Sequence, residues 1–260
     1  NEPINYNSNL SSSINTSSST SKVQTIPQNQ PQVIEQTVIP QHATMYFNEI
    51  EKMMNVPHKK CLFTKFAPMT LSQLEIIKSD ILKSVNENNS EPATYCIMPE
   101  PKGIRAILYL RRKVPLLIFQ DYSPIQLKLN INTSDEDLYI FEVIYVRYSQ
   151  PNIVLCDIMF AKDEDVSSRP FNYRIGIIKN CYEQIFKPLN DSVIKFTIRP
   201  FYRLKDYRLL TDLFEKNPHK QFTRYPVAGI SATLVNSGNC HSSKCMYLWT
   251  KDVIENPRVI

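Results

Sequence analysis

The cysteines and histidines are the first residues to weigh for chemistry. Cys240, His241 and Cys245 stand close together, and His58 and Cys61 form a similar pair far upstream. They could supply zinc ligands, although neither half has the spacing of a zinc finger. Cys96, Cys156 and Cys181 lie in apolar runs and are expected as buried thiols, which suits a reducing compartment. No cysteine spacing reads as a disulfide framework. His42, His58, His219 and His241 sit in loop-like sequence without a Ser or Cys partner that the sequence can place, so a hydrolytic triad is not arguable. Arg111, Arg112 and Lys113 precede Val114 and Pro115 and mark a solvated hairpin turn, with nucleic-acid contact as the alternative. Asp157 interrupts an apolar run, where it makes a structural hydrogen bond or serves a site. Trp249 is the single tryptophan, on a strand-like run where such a residue is most simply core.

The elements that must position these residues can be read from pattern. Residues 1–42 are Ser, Asn, Thr, Gln and Pro with few charges, a composition expected to stay disordered; residues 33–40 are its best candidate for a short binding motif. The folded part is expected over 43–260, beginning near Tyr46. Thr70 to Ser72 can cap a helix in which Leu74, Ile77, Ile81 and Val85 share one face. Short β-type runs follow at 94–99, 105–111, 115–119, 125–129, 138–148 and 153–160, the last two as a hairpin. The spacing of Ile175, Ile178, Tyr182 and Ile185 predicts a helix over 171–186. A strand at 193–199, a helix at 206–216 and strands at 229–235 and 245–249 complete the order. Helices interrupting mainly antiparallel strands imply an α+β fold.

The chain has 260 residues, a 42% hydrophobic fraction and a formal charge of +5. The charge is compatible with a phosphate-bearing ligand but does not by itself indicate nucleic acid. No apolar run approaches the roughly 20 residues of a membrane span. The polar start, which begins with Asn, lacks the apolar core of a signal peptide. A cytoplasmic or nuclear protein is expected, with no membrane partner.

Three segments, in order, resemble the nucleotidyltransferase superfamily of mRNA-capping guanylyltransferases and nucleic-acid ligases. Residues 98–110 (MPEPKGIRAILYL) face the family pattern K-x-D-G-x-R followed by an apolar strand. Gly103 and Arg105 match; Glu100 stands at the nucleophilic lysine and Lys102 at the aspartate. Residues 153–160 (IVLCDIMF) face a strand ending in D-G-E: Asp157 matches, while Ile158 and Met159 replace the glycine and the metal-binding glutamate. Residues 168–174 (SRPFNYR) look like the helix start that follows, with Arg174 at its arginine. Residues 225–231 (YPVAGIS) face D-G-L-I-F, with Gly229 matching and Ala228 in place of the acid. Residues 247–252 face the final L-K-W-K-P strand, and 198–204 the stretch before the family's short helix. Two of only four glycines fall on these positions.

The resemblance implies a ligase-type (ATP-grasp-like) domain without its OB-fold partner. Nucleotidyl transfer in the family needs an amine nucleophile and metal-holding carboxylates. Glu100 cannot form the lysyl-nucleotide bond, and Met159 and Ala228 are not metal ligands, so the expectation is a protein that is not an enzyme, with no cofactor and no metal. The similar branch is the trimethylguanosine-cap-binding domain of snurportin, a nuclear import adaptor whose final strand carries a tryptophan followed two residues on by a basic residue. Trp249 and Lys251 match that arrangement; nothing in residues 1–42 resembles the branch's importin-binding helix. The resemblance thus implies binding of an RNA 5′ cap or guanine nucleotide. Trp249 would stack on a flat cationic base, Lys102, Arg105, Lys128 and Lys251 would meet the phosphates, with Arg111 a further candidate, and Gly103, Asp157 and Gly229 would line the pocket. The alternatives are an inactive scaffold subunit of an RNA-capping or RNA-processing complex, a viral one included, with a protein partner, and a residual guanylyltransferase acting through Lys102.

Overall fold

The computed structural model describes residues 35–37, 40–53, 67–68, 76, 79, 95–121, 123–147, 150–189, 193–203, 225–235 and 246–250, all within the unit Val33–Ile260. Two sheets form its frame. The larger has eight strands, in the order β1 (Glu35–Thr37), β6 (Pro124–Leu127), β5 (Val114–Phe119), β4 (Ile104–Arg111), β7 (Leu138–Val146), β8 (Asn152–Ala161) and β10 (Lys195–Ile198), with β9 (Glu164–Asp165) also paired to β8. The smaller runs β11 (Tyr202–Arg203), β3 (Tyr95–Pro101), β12 (Val227–Leu234), β13 (Met246–Thr250) and β2 (Ala67–Pro68). Pairing is antiparallel except for β8 with β10 and β13 with β2. The fold is the mainly antiparallel α+β arrangement that the pattern implies.

Side chains alternate between the two faces of each strand, and both faces of the central strands are covered. One face of β4 and β7 sends Leu108 and Phe141 into a cluster with Met98 of the smaller sheet and with Ile175 and Phe186. The opposite face sends Ile107, Tyr109 and Ile140 against Phe47 and Ile50 of α1 (Pro40–Met53). All nine residues of β7 are therefore buried. On the first face lies α2 (Phe171–Cys181), which continues through a π-helical turn at Tyr182–Phe186. There the Phe186 ring stacks on Phe196 at 4.7 Å and meets Phe141 edge-on at 5.4 Å.

Helix α1 is an element that pattern reading passed over, and both it and β1 start before residue 43. Its apolar stripe, Tyr46, Phe47, Ile50 and Met53, has helical spacing and packs on the larger sheet. The polar composition just upstream masked that signal. Glu49 anchors the helix: Tyr109 Oη donates to its Oε2 at 2.9 Å, and Arg111 is its ion-pair partner. Of the helix expected near 70–85 only Ile76 and Ser79 are described, both helical, with Ile76 exposed and off the apolar stripe. The helix expected at 206–216 lies outside the described residues. No described helix is long and apolar enough to cross a membrane.

Two tight turns close one end of the larger sheet. Arg112 and Lys113 between β4 and β5 have φ of 52° and 61°, and Lys162 and Asp163 after β8 have 51° and 63°. Paired positive φ matches the twist of a two-residue hairpin, at roughly 1 kcal/mol for each non-glycine residue.

At the other end, the β3–β4 turn passes tightly over β7. A Cβ on Gly103 would lie 2.6 Å from the Tyr145 carbonyl oxygen and 2.7 Å from Ile144 Cγ2. Backbone cannot yield as a flexible side chain can, so glycine is required here for close approach. Gly103→Ala is expected to lower unfolding free energy by about 1–3 kcal/mol, measured by urea denaturation. Gly176→Ala is the control, because nothing stands within 4 Å of a Cβ there.

Candidate functional site

Chain pairing brings three of the resembling segments into one row. Gly229 on β12 lies opposite Glu100 on β3 and opposite Thr250 on β13. The next row joins Pro99, Ile230 and Trp249. Residues separated by up to about 150 positions in sequence thus lie on three adjacent strands, spaced by about 4.8 Å each. The ladder shifts register between Val227 and Gly229, so Ala228 sits at a bulge, where it is exposed. The Lys102 backbone N–H donates to the Pro226 carbonyl at 2.8 Å, which fixes the β3–β4 turn against the start of β12.

Charge is concentrated at this corner. Glu100 is buried, and both its oxygens are used. Arg105 Nη2 donates to Oε1 at 2.6 Å, and Arg199 Nη1 donates to Oε2 at 2.8 Å. Arg105 Nη1 also donates to Glu142 Oε1 at 2.9 Å. Arg105 stands on β4 and Glu142 on β7, both of the larger sheet, and Arg199 follows β10 of the same sheet. Glu100 belongs to the smaller sheet, so its carboxylate ties the two sheets together. Arg199 Nη1 also reaches Ser231 Oγ at 3.4 Å, while its Nε has no hydrogen-bond partner among the described residues.

Asp157 is just as fully used. Arg174 Nε and Nη2 grip its two oxygens at 2.8 and 2.9 Å, and the Ile158 backbone N–H donates to Oδ1 at 2.8 Å. Arg174 has no exposed surface, and its Nη1 donates to the Arg169 carbonyl. This bidentate pair fastens α2 to β8.

The expected site residues therefore separate. Gly103, Arg105, Gly229 and the exposed Lys102 share the corner with the Trp249 backbone. Asp157 lies two strands from Arg105 on β8, but its carboxylate is turned to α2. Lys128 is exposed just beyond β6. The pairings of Gln126 with Leu116 and Leu116 with Tyr109 set it level with Arg111, at the opposite end of β4. It is roughly 20 Å along the strands from Arg105 and does not join the corner. Lys251 lies outside the described residues, as do Cys61, Cys240, Cys245, His58 and His241.

Among the described residues, those at the resembling positions leave no carboxylate uncommitted to receive a metal. Met159, at the position of the family's glutamate, is buried among apolar side chains, and Glu100, Glu142 and Asp157 are all committed to arginines. No cluster of three or more potential ligands occurs among the described residues.

Glu142 and Arg199 escaped pattern reading as site residues. Glu142 had a signal: it is the one charge in a nine-residue apolar strand, and a buried carboxylate requires a cation. Arg199 sits where a strand ends before Pro200, which looks like an ordinary solvent-facing position.

Comparison with known proteins bears on the fold. No family model matches the chain, and no curated protein does. Among solved structures the fold is similar to a mycobacterial DNA ligase D complexed with ATP and MES, at 6% identity over 60% of this chain and 54% of that one, TM-score 0.41. It is also similar to the ligase domain of M. tuberculosis LigD, at 6% identity over 62% and 56% of the two chains, TM-score 0.40. The chain spans little more than half of each. Both neighbours are enzymes, and this overturns the expectation that the chain is not one; that expectation is withdrawn. Likeness at this level speaks for the fold and assigns no reaction.

Two outcomes follow from the buried groups. Arg174→Met leaves Asp157 charged and unpaired and is expected to cost about 3–5 kcal/mol; adding Asp157→Leu should restore much of that in urea denaturation. Burial pushes the thiol pKa of Cys96 up to about 11 and those of Cys156 and Cys181 up to about 12. All three should resist iodoacetamide near neutral pH in the folded protein and react once it unfolds, as mapped by mass spectrometry. Because these pKa values are raised on folding, their contribution is intact below about pH 8.5 and declines as pH rises towards 12.

Proposed function

We propose that this domain binds the guanosine end of an RNA, either its methylated 5′ cap or a free guanine nucleotide. What carries the reading is the row Glu100, Gly229 and Thr250, which gathers the resembling segments beside the exposed Lys102 and one residue from Trp249. The resemblance of these segments to nucleotidyltransferase motifs supports the nucleotide class, and the order Trp249-x-Lys251 supports the snurportin-like cap in particular. In this reading Trp249 stacks on the base. A methylated guanine is flat and positively charged, so an aromatic face attracts it by stacking and by its quadrupole. Lys251 and Lys102 meet the phosphates as point charges, and Arg105 joins them by giving up one of its carboxylate partners. The same chemistry fits work in the cytoplasm or nucleus, beside a protein partner that processes RNA.

The test is a titration followed by tryptophan emission, which reports Trp249 alone because the chain has one tryptophan. Trimethylguanosine-cap, 7-methylguanosine-cap and GTP are compared. Saturable quenching by a methylated cap is expected, weakened about tenfold or more by Lys251→Ala and reduced by added salt. A folded protein whose emission responds to none of the three contradicts the reading.

A further inference from the structure

We propose that Arg105 and Arg199 form an oxyanion seat that Glu100 fills from within the chain, so that a carboxylate- or phosphate-bearing ligand enters only by displacing Glu100.

The two guanidinium groups approach different oxygens of one carboxylate, at 2.6 and 2.8 Å. This is how arginines recognise a free carboxylate or phosphate. The charge distribution is uneven. Arg105 has a second carboxylate in Glu142, whereas Glu100 is the one carboxylate paired with Arg199 among the described residues. The Arg199 side chain is 3% exposed, so bulk water does not screen its charge. Removing Glu100 would leave Arg199 a buried cation with no carboxylate at ion-pair distance among the described residues, because Glu142 is engaged by Arg105.

Two more features favour a seat over a purely structural pair. Arg199 Nε is buried without a hydrogen-bond partner among the described residues, so the seat has a donor to spare. Across the strand from Glu100 stands Gly229, and no β12 side chain occupies that place. The entrance is on the Arg105 side, whose side chain is 17% exposed against 7% for Glu100 and 3% for Arg199. An arriving oxyanion meets Arg105 first and competes for its Nη2 donor. The inference stands on this side-chain geometry and does not require that the ligand be guanosine.

The experiment is thermal unfolding of the full chain, native and Glu100→Ala, in chloride, acetate, inorganic phosphate or GTP at matched ionic strength. Glu100→Ala should be less stable in chloride and should regain stability saturably in acetate or phosphate. The expected rise is about 3 °C or more at ten times the half-saturating concentration, with little change in the native chain. Glu100→Gln keeps the side-chain volume without the charge and tests the same point if Glu100→Ala does not fold; a smaller but anion-selective rise is expected. If neither variant is stabilised more than the native chain by any oxyanion, there is no seat. Rescue by GTP at concentrations well below those of phosphate identifies a nucleotide as the displacing ligand. Equal rescue by phosphate and GTP upholds the seat and separates it from the guanosine reading.

Discussion

One carboxylate between two guanidinium groups organises this molecule. Glu100 projects from the smaller sheet, while Arg105 and Arg199 belong to the larger sheet and its exit. A charge removed from water must find its opposite, so Glu100 and Arg199 cannot both be satisfied unless the sheets meet in one arrangement. Arg105 follows a turn in which Gly103 presses against the backbone of β7, and a shift of that turn would carry Arg105 away from both Glu100 and Glu142. Apolar burial supplies most of the favourable free energy of such a fold; the ion network selects how its two halves are joined.

The Asp157–Arg174 pair does the same for the helix. Four apolar residues of α2 would pack against many positions on the sheet, but a buried bidentate pair allows one. Both locks are built from segments that resemble nucleotidyltransferase motifs in sequence. Here the carboxylates at those positions hold the frame together. In the proposed reading a ligand meets the rim of the corner: Lys102 on the turn, the largely buried Arg105, and the strand that contains Trp249.

Local order was largely legible in sequence, and pairing at a distance was not. Short β-type runs broken by turn residues gave β4, β5, β7 and β8, and helical spacing gave α2 and its continuation to Phe186, because both signals are written in consecutive residues. Helix α1 carried its stripe too, yet it begins inside polar, low-complexity sequence that hides it. The Gly229 row was foreseen only through resemblance between segments. The partnership of Glu100 with Arg199 spans 99 residues, and no local pattern announces it. Lys128 illustrates the converse: it is basic and lies near the right segments in sequence, yet strand register carries it to the far end of the sheet.

A double-mutant cycle on Glu100 and Arg199 tests this account most directly. Unfolding free energies are measured in urea for the native chain, Glu100→Gln, Arg199→Met and the pair combined. If the carboxylate joins the sheets through Arg199, the double variant should be less damaged than the sum of the singles, by about 1–3 kcal/mol. Additivity within about 0.5 kcal/mol would mean that the two groups do not depend on each other, and the sheets would have to be held in place by something else.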